Sequence, residues 1–156
     1  MKATPWYRDR DAWGWIGLRF LPAFAPLMLA WEIAQLPLYT IWTEASGVYI
    51  AFAVAHCTLG DLLIGGAALF IALLLTREGG IAGWRWRRLA LLVAPLGVAY
   101  TAFSEWMNTE VLGSWAYASS MPTVAIAGAE IGVAPLLQWL LVPPIALALA
   151  RRRAVA

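Results

Sequence analysis

The stretch Ala55 to Gly65, AHCTLGDLLIG, holds the only histidine of this chain, His56, its only cysteine, Cys57, and Asp61. Around it, from Val48 to Leu75, the sequence is almost entirely apolar. Glu32, Glu105 and Glu130 stand in apolar runs of the same kind. An ionisable side chain inside a membrane span costs on the order of 2.5–3.5 kcal/mol on insertion scales, so each of these groups is expected to face protein and to mark a site. An imidazole with several carboxylates at one depth is the donor set of a divalent transition metal, Zn, Mn or Fe, with His56, Glu32 and Glu130 as its ligands. The same groups, held away from water, also suit acid–base chemistry or proton movement on a lipid-soluble molecule. No Glu-x-x-His, His-Glu-x-x-His or Cys-x-x-Cys spacing is present to decide between the two.

Helical periodicity sorts these residues into stripes. Glu32, Gln35 and Tyr39 recur at three and four, as do Thr101, Glu105 and Asn108, and Cys57, Thr58, Asp61 and Gly65 share a face. At about 100° per residue His56 lies about 140° around its helix from Asp61, so the two are not expected to touch the same atom. With about 1.5 Å of rise per residue, Glu32 falls roughly 15 Å below the outer surface, His56 roughly 12 Å, Glu130 roughly 10 Å and Asp61 roughly 20 Å, with Glu105 near the surface. That match in depth predicts one polar pocket in the outer half of the bilayer, built from Glu32, Gln35, His56, Asp61, Glu105, Asn108 and Glu130.

The elements that must carry this pocket follow from composition. Of 156 residues, 62% are hydrophobic and 13% charged, with ten Trp, and the mean hydropathy is +0.71. Those values describe an integral membrane protein. Crossing a hydrocarbon core of roughly 30 Å takes about 20 helical residues. Four segments qualify: Leu18 to Trp42, Val48 to Leu75, Leu89 to Trp106 and Thr123 to Ala150. None alternates as a barrel strand would, so the expected fold is an all-α, four-helix transmembrane bundle forming one domain. Gly60, Gly65 and Gly66 are expected to let helices approach closely, and GAEIG, Gly128 to Gly132, reads as a small-xxx-small packing element on span four.

Lys2, Arg8, Arg10 and Arg19 precede span one, Arg77, Arg85, Arg87 and Arg88 separate spans two and three, and Arg151, Arg152 and Arg153 follow span four. The loops Thr43 to Gly47 and Met107 to Pro122 carry no Lys or Arg. This places both termini in the cytoplasm of a bacterial-type inner membrane, with Trp13, Trp15, Trp84 and Trp86 as one interfacial belt and Trp42, Trp106 and Trp115 as the other. Acids at Asp9 and Asp11 and the long apolar run behind them differ from a cleaved leader, so the first span is expected to be retained. Trp6 to Phe20 reads as an interfacial lead-in or as a continuation of that span. The outer loop, residues 107–122, is expected to connect spans three and four plainly or to fold back over the mouth of the bundle. A net charge of +2 without a basic aromatic patch gives nucleic-acid binding no support.

In GSWAYASSMPTVAIAGAEIGVAPLLQW, the positions Trp115, Tyr117, Gly132 and Pro135, with Asn108 before them, resemble the corresponding stretch of small carotenoid-modifying membrane domains of the heterodimeric lycopene cyclase and bisanhydrobacterioruberin hydratase type. The resemblance covers the last third of the chain and implies an enzyme of a lipophilic isoprenoid. Members of the cyclase group carry paired acids after the Pro, where this chain has Leu136, Leu137 and Gln138. Three functions stay open at this point: a buried metal or proton site, an accessory or assembly subunit docked on a larger membrane complex, and an isoprenoid enzyme.

Overall fold

The structure, a computed structural model, describes residues 5–76 and 79–152. Of the basic residues that set the expected orientation, Lys2, Arg77 and Arg153 lie outside that range. Four helices are long and apolar enough to cross a membrane: α1 (Arg10–Leu38), α2 (Gly47–Leu75), α3 (Trp86–Val111) and α4 (Val133–Arg151). Each packs on two others, α1 and α3 both lying against α2 and α4, so the helices follow one another around a ring. Outward-facing Val48, Leu59, Leu63, Leu75 and Leu91 are largely exposed. Helices that are apolar on the outside as well as the inside suit hydrocarbon surroundings.

α1 is the least regular helix. It begins at Arg10, behind a single turn at Trp6–Arg8, where the Asp9 carboxylate caps it by accepting the Asp11 N–H at 3.0 Å. Much of the expected lead-in is therefore helix continuous with the span. The turn widens to a π-helix at Ile16–Phe20, just ahead of Pro22 and Pro26, which supply no N–H to the carbonyls four residues earlier. At its other end Pro37 closes the helix in a tight turn, and Tyr39 is extended. Tyr39 pairs with Tyr117 as an isolated antiparallel bridge. The Thr40 N–H donates to the Ala116 carbonyl at 3.0 Å and the Ala118 N–H to the Leu38 carbonyl at 2.9 Å. Those bonds fold residues 114–118 back across the bundle, the cap-like course and not the plain connection.

Span four differs from its expected course. Residues 123–132 form a hairpin, β1 (Thr123–Ile126) against β2 (Ala129–Gly132), with Glu130 paired to Ala125. The turn is made by Ala127 and Gly128, both with positive φ, 51° and 88°, the pattern of a two-residue hairpin loop. An apolar run reads equally as strand or helix by composition, and here β-branched Thr123, Val124, Ile126 and Ile131 take the strand. The GAEIG element is thus a turn and a strand. It is not a helix contact.

The tryptophans of the arginine-bearing end also differ from a simple belt. Trp15 and Trp84 are buried and cluster with Trp86 in edge-on and tilted ring contacts at centroid distances of 4.9–5.4 Å. The Trp15 Nε1–H reaches the Ala150 carbonyl at 3.3 Å, tying the start of α1 to the end of α4. Trp13 is 50% exposed. Of the three glycines expected at close helix contacts, only Gly65 meets a neighbour, the Phe24 ring; Gly60 and Gly66 have open space beside them. Gly97 makes the closer approach, its Cα face occupied by the Trp139 ring.

Candidate functional site

A cavity of ≈ 290 Å³ opens among all four helices at the end that carries the hairpin and residues 107–122. α1 contributes Glu32 and Gln35, α2 contributes His56, Cys57 and Asp61, α3 contributes Thr101, Glu105 and Asn108, and α4 contributes Gln138. Tyr39 and Trp115, from the two segments that bridge over the bundle, close its end. The Glu32, Gln35 and Tyr39 stripe and the Thr101, Glu105 and Asn108 stripe both face it, as the three-and-four spacing predicts. Its wall facing outward carries Tyr49 and His56 from α2 and Tyr100 from α3, all exposed, so the mouth lies between those two helices, on the flank of the bundle.

At the bottom sits a pair of acids. The Gln138 Nε2 group donates one N–H to Asp61 Oδ2 at 2.7 Å and lies 3.2 Å from Glu32 Oε1. Gln35 Nε2, one helical turn from Glu32, donates to the same Glu32 Oε1 at 2.9 Å. The Gln138 amide thus lies between the two carboxyl groups, with Glu32 Oε1 near two amide donors and Asp61 near one. All four residues are buried.

A second acid is held higher up. The Tyr117 hydroxyl donates to Glu105 Oε2 at 2.6 Å, and the Tyr39 hydroxyl approaches the same oxygen at 3.3 Å. Tyr117 in turn accepts the Gly132 N–H at 2.9 Å, which locks the end of β2 onto the site. Gly132 lets this happen, because any Cβ there would press on the Tyr117 ring and the Met121 sulfur. Burial, and after it the neighbouring Glu105, push both phenols above their ordinary pKa of 10.0, so they stay protonated and act as donors. The raised value makes the contribution of Tyr117 complete below pH 10.0 and lost as pH rises beyond it. Tyr117→Phe leaves the Glu105 oxygen and the Gly132 N–H each short of a partner and is expected to cost about 1–3 kcal/mol at neutral pH. Thermal unfolding of both proteins at about pH 8 and about pH 11 should show that gap narrowing at the higher pH, as the wild type loses what the variant never had.

One residue expected deep in the pocket stands at its rim, and another lies outside it. His56 lines the rim but is exposed, stacked on Phe52 at 5.7 Å, so it is not a buried histidine; its angular offset from Asp61 turns it to the flank. Glu130 is exposed on β2, because the segment that carries it is a hairpin and not part of the fourth span. The metal ligand set His56, Glu32 and Glu130 is therefore not assembled, and among the described residues no group of three or more His, Cys, Asp or Glu is placed to hold a metal ion. Asn108 lines the cavity but spends its amide on its own helix, donating to the Ser104 carbonyl at 2.8 Å.

The residues that sequence reasoning left out are Tyr39 and Tyr117 as ligands of Glu105, and Gln138. Gln138 carried a signal, as the single polar side chain in the otherwise apolar PLLQWLLVPP. The acids it meets come from α1 and α2. Compared with protein-family models, with curated proteins and with solved structures, the chain has no match.

Proposed function

We propose that this chain is a membrane enzyme in which the Glu32–Asp61 pair moves a proton onto and off a lipophilic, isoprenoid-type molecule that enters from the bilayer between α2 and α3. The observation that carries this reading is the bridging of two buried carboxyls by the Gln138 amide at the base of a cavity with a flank mouth. A pair holding one proton can act as acid and base in turn. The Asp61 O–H breaks as an alkene π pair takes its proton, forming a C–H bond and leaving a cation on the neighbouring carbon. The pair then accepts a proton from an adjacent carbon, whose C–H electrons close a new double bond, and the acid is restored. No oxidant, reductant or metal enters the balance. The resemblance to carotenoid-modifying domains supports the same reading, since Trp115, Gly132 and Pro135 all lie at this cavity or against Tyr117.

Between the two forms expected of the pocket, proton handling has the support of this acid pair, and the metal form has no assembled ligand set. We place the arginine-bearing end in the cytoplasm of a bacterial-type inner membrane, which sets the cavity in the outer half of the bilayer. Expression in a bacterial host that accumulates an acyclic polyene tests the function. The lipid extract should contain a new product isomeric with the precursor. An extract identical to that of the empty host overturns the proposal.

A further inference from the structure

The upper acid keeps an oxygen free. Glu105 Oε2 takes the Tyr117 hydroxyl and has the Tyr39 hydroxyl close by. Among the described residues no donor is hydrogen-bonded to Oε1, and this atom is not sealed inside the protein as Gln35 Oε1 is. The Trp115 indole stands beside the same carboxyl with its own N–H unbonded. One helical turn earlier on α3, Thr101 is 8% exposed, and its hydroxyl is likewise open and without a hydrogen-bond partner among the described residues. Both residues line the cavity. Buried polar groups are normally paired, so two open ones a turn apart on one wall mark the place of a ligand's polar head.

Independently of the proposed reaction, we infer that this cavity binds a lipophilic amine in its ammonium form, its N–H groups donating to Glu105 Oε1 and Thr101 Oγ1. Among the described residues the lining has three carboxyls, Glu32, Asp61 and Glu105, and no Lys or Arg. Its one imidazole, His56, is exposed at the rim and stacked on Phe52. Acids taken out of water need donors or positive charge beside them, and an ammonium supplies both at once. A hydroxyl head pairs with the same two oxygens but brings no charge. Tyr39, Tyr49, Tyr100 and Trp115 line the same space, and aromatic rings are favourable neighbours for an organic cation. An inorganic cation fits less well. No group of three His, Cys, Asp or Glu among the described residues is placed to hold one, and the mouth opens on the flank of the bundle, toward hydrocarbon that admits an amine on an apolar chain and opposes a hydrated ion.

Geranylamine and geraniol share a chain and differ in the head, the first carrying a proton and a charge at pH 7. Titrated into purified full-length protein in detergent, geranylamine should bind about tenfold more tightly than geraniol, the lower end of what a charged hydrogen bond contributes. In Glu105→Gln, which keeps an oxygen for the two phenols, that preference should vanish, and the comparison of wild type with variant cancels what the detergent contributes. In Asp61→Asn it should persist. Thr101→Val should weaken geranylamine itself by about threefold. Equal affinities in the wild type overturn the inference. So does a preference that survives Glu105→Gln, or one lost in Asp61→Asn alone, which would seat the cation on the lower pair instead. Should Glu105→Gln fail to fold, the wild-type ratio and Thr101→Val decide: a preference with weakened amine binding supports the site, and equality, or full affinity in Thr101→Val, ends it. The result is separable from the proposed reaction. Geranylamine preference with an unchanged lipid extract keeps the cation site and removes the enzyme, whereas conversion of a polyene without any amine preference does the reverse.

Discussion

If the proposed reaction holds, Asp61→Asn is expected to lower conversion of the polyene precursor by about 10²–10⁴-fold, the range that a positioned proton donor supplies, while the protein remains a folded bundle. The substitution keeps the shape of the side chain and keeps an oxygen for the Gln138 N–H, which reaches Asp61 at 2.7 Å. It removes the acidic proton. Glu32→Gln should also impair conversion, because in the proposed step the carboxylate that accepts from Gln35 and Gln138 is the base that restores the acid. The two losses should not add: residues that act as one unit give a double variant about as poor as the worse single one. Product formation per unit of membrane protein measures all three, with circular dichroism confirming helix content. Asp61→Asn with undiminished conversion would remove the pair from the chemistry. Full additivity would mean that the acids act separately.

The sequence showed the bundle and half of the site. Four apolar runs of sufficient length fix four crossings, because a backbone in lipid has to satisfy its own hydrogen bonds. Of the residues that depth and spacing put in one pocket, Glu32, Gln35, His56, Asp61, Glu105 and Asn108 line one cavity, His56 at its rim. Depth along a helix says nothing about rotation around it, and that is why His56, well matched in depth, ended on the flank. The offset of about 140° from Asp61 was already the better guide. Glu130 was lost for another reason. An apolar run next to a helix looks like more helix, and only the left-handed pair Ala127 and Gly128 turns residues 123–132 into a hairpin. The tyrosines that hold Glu105 were beyond reach of any periodicity, since Tyr117 comes from an irregular segment whose path is set by backbone pairing with residues 38–40. Gln138 was visible as an oddity in an apolar helix, but its role needed the partners from α1 and α2.

Gly97 controls how those partners meet, and Gly97→Leu is expected to unfold the protein. The Trp139 ring lies flat against the Cα of Gly97, closer than any side-chain carbon could tolerate. Trp139 is fully buried and also touches Phe24 with ring centroids 6.2 Å apart, so it has no empty space into which to retreat. Even one added methyl group in a packed interior costs about 1–3 kcal/mol. Gly97→Ala should therefore lower the thermal midpoint measurably in detergent, and the branched side chain of Leu should abolish the monodisperse species. The damage has a direction. Trp139 follows Gln138 directly on α4, and displacing the ring from α3 moves that amide away from Asp61 and Glu32. Gly97→Ala protein that stays folded should accordingly lose conversion in a larger proportion than it loses stability, although Gly97 itself does not line the cavity. The paired substitution Gly97→Ala with Trp139→Phe supplies the check, because a smaller ring makes room for the methyl group. Recovery of both the midpoint and the conversion would show that the close passage of α3 and α4 sets the position of Gln138. Recovery of the midpoint alone would show that the amide is held by its acids and not by the helix behind it.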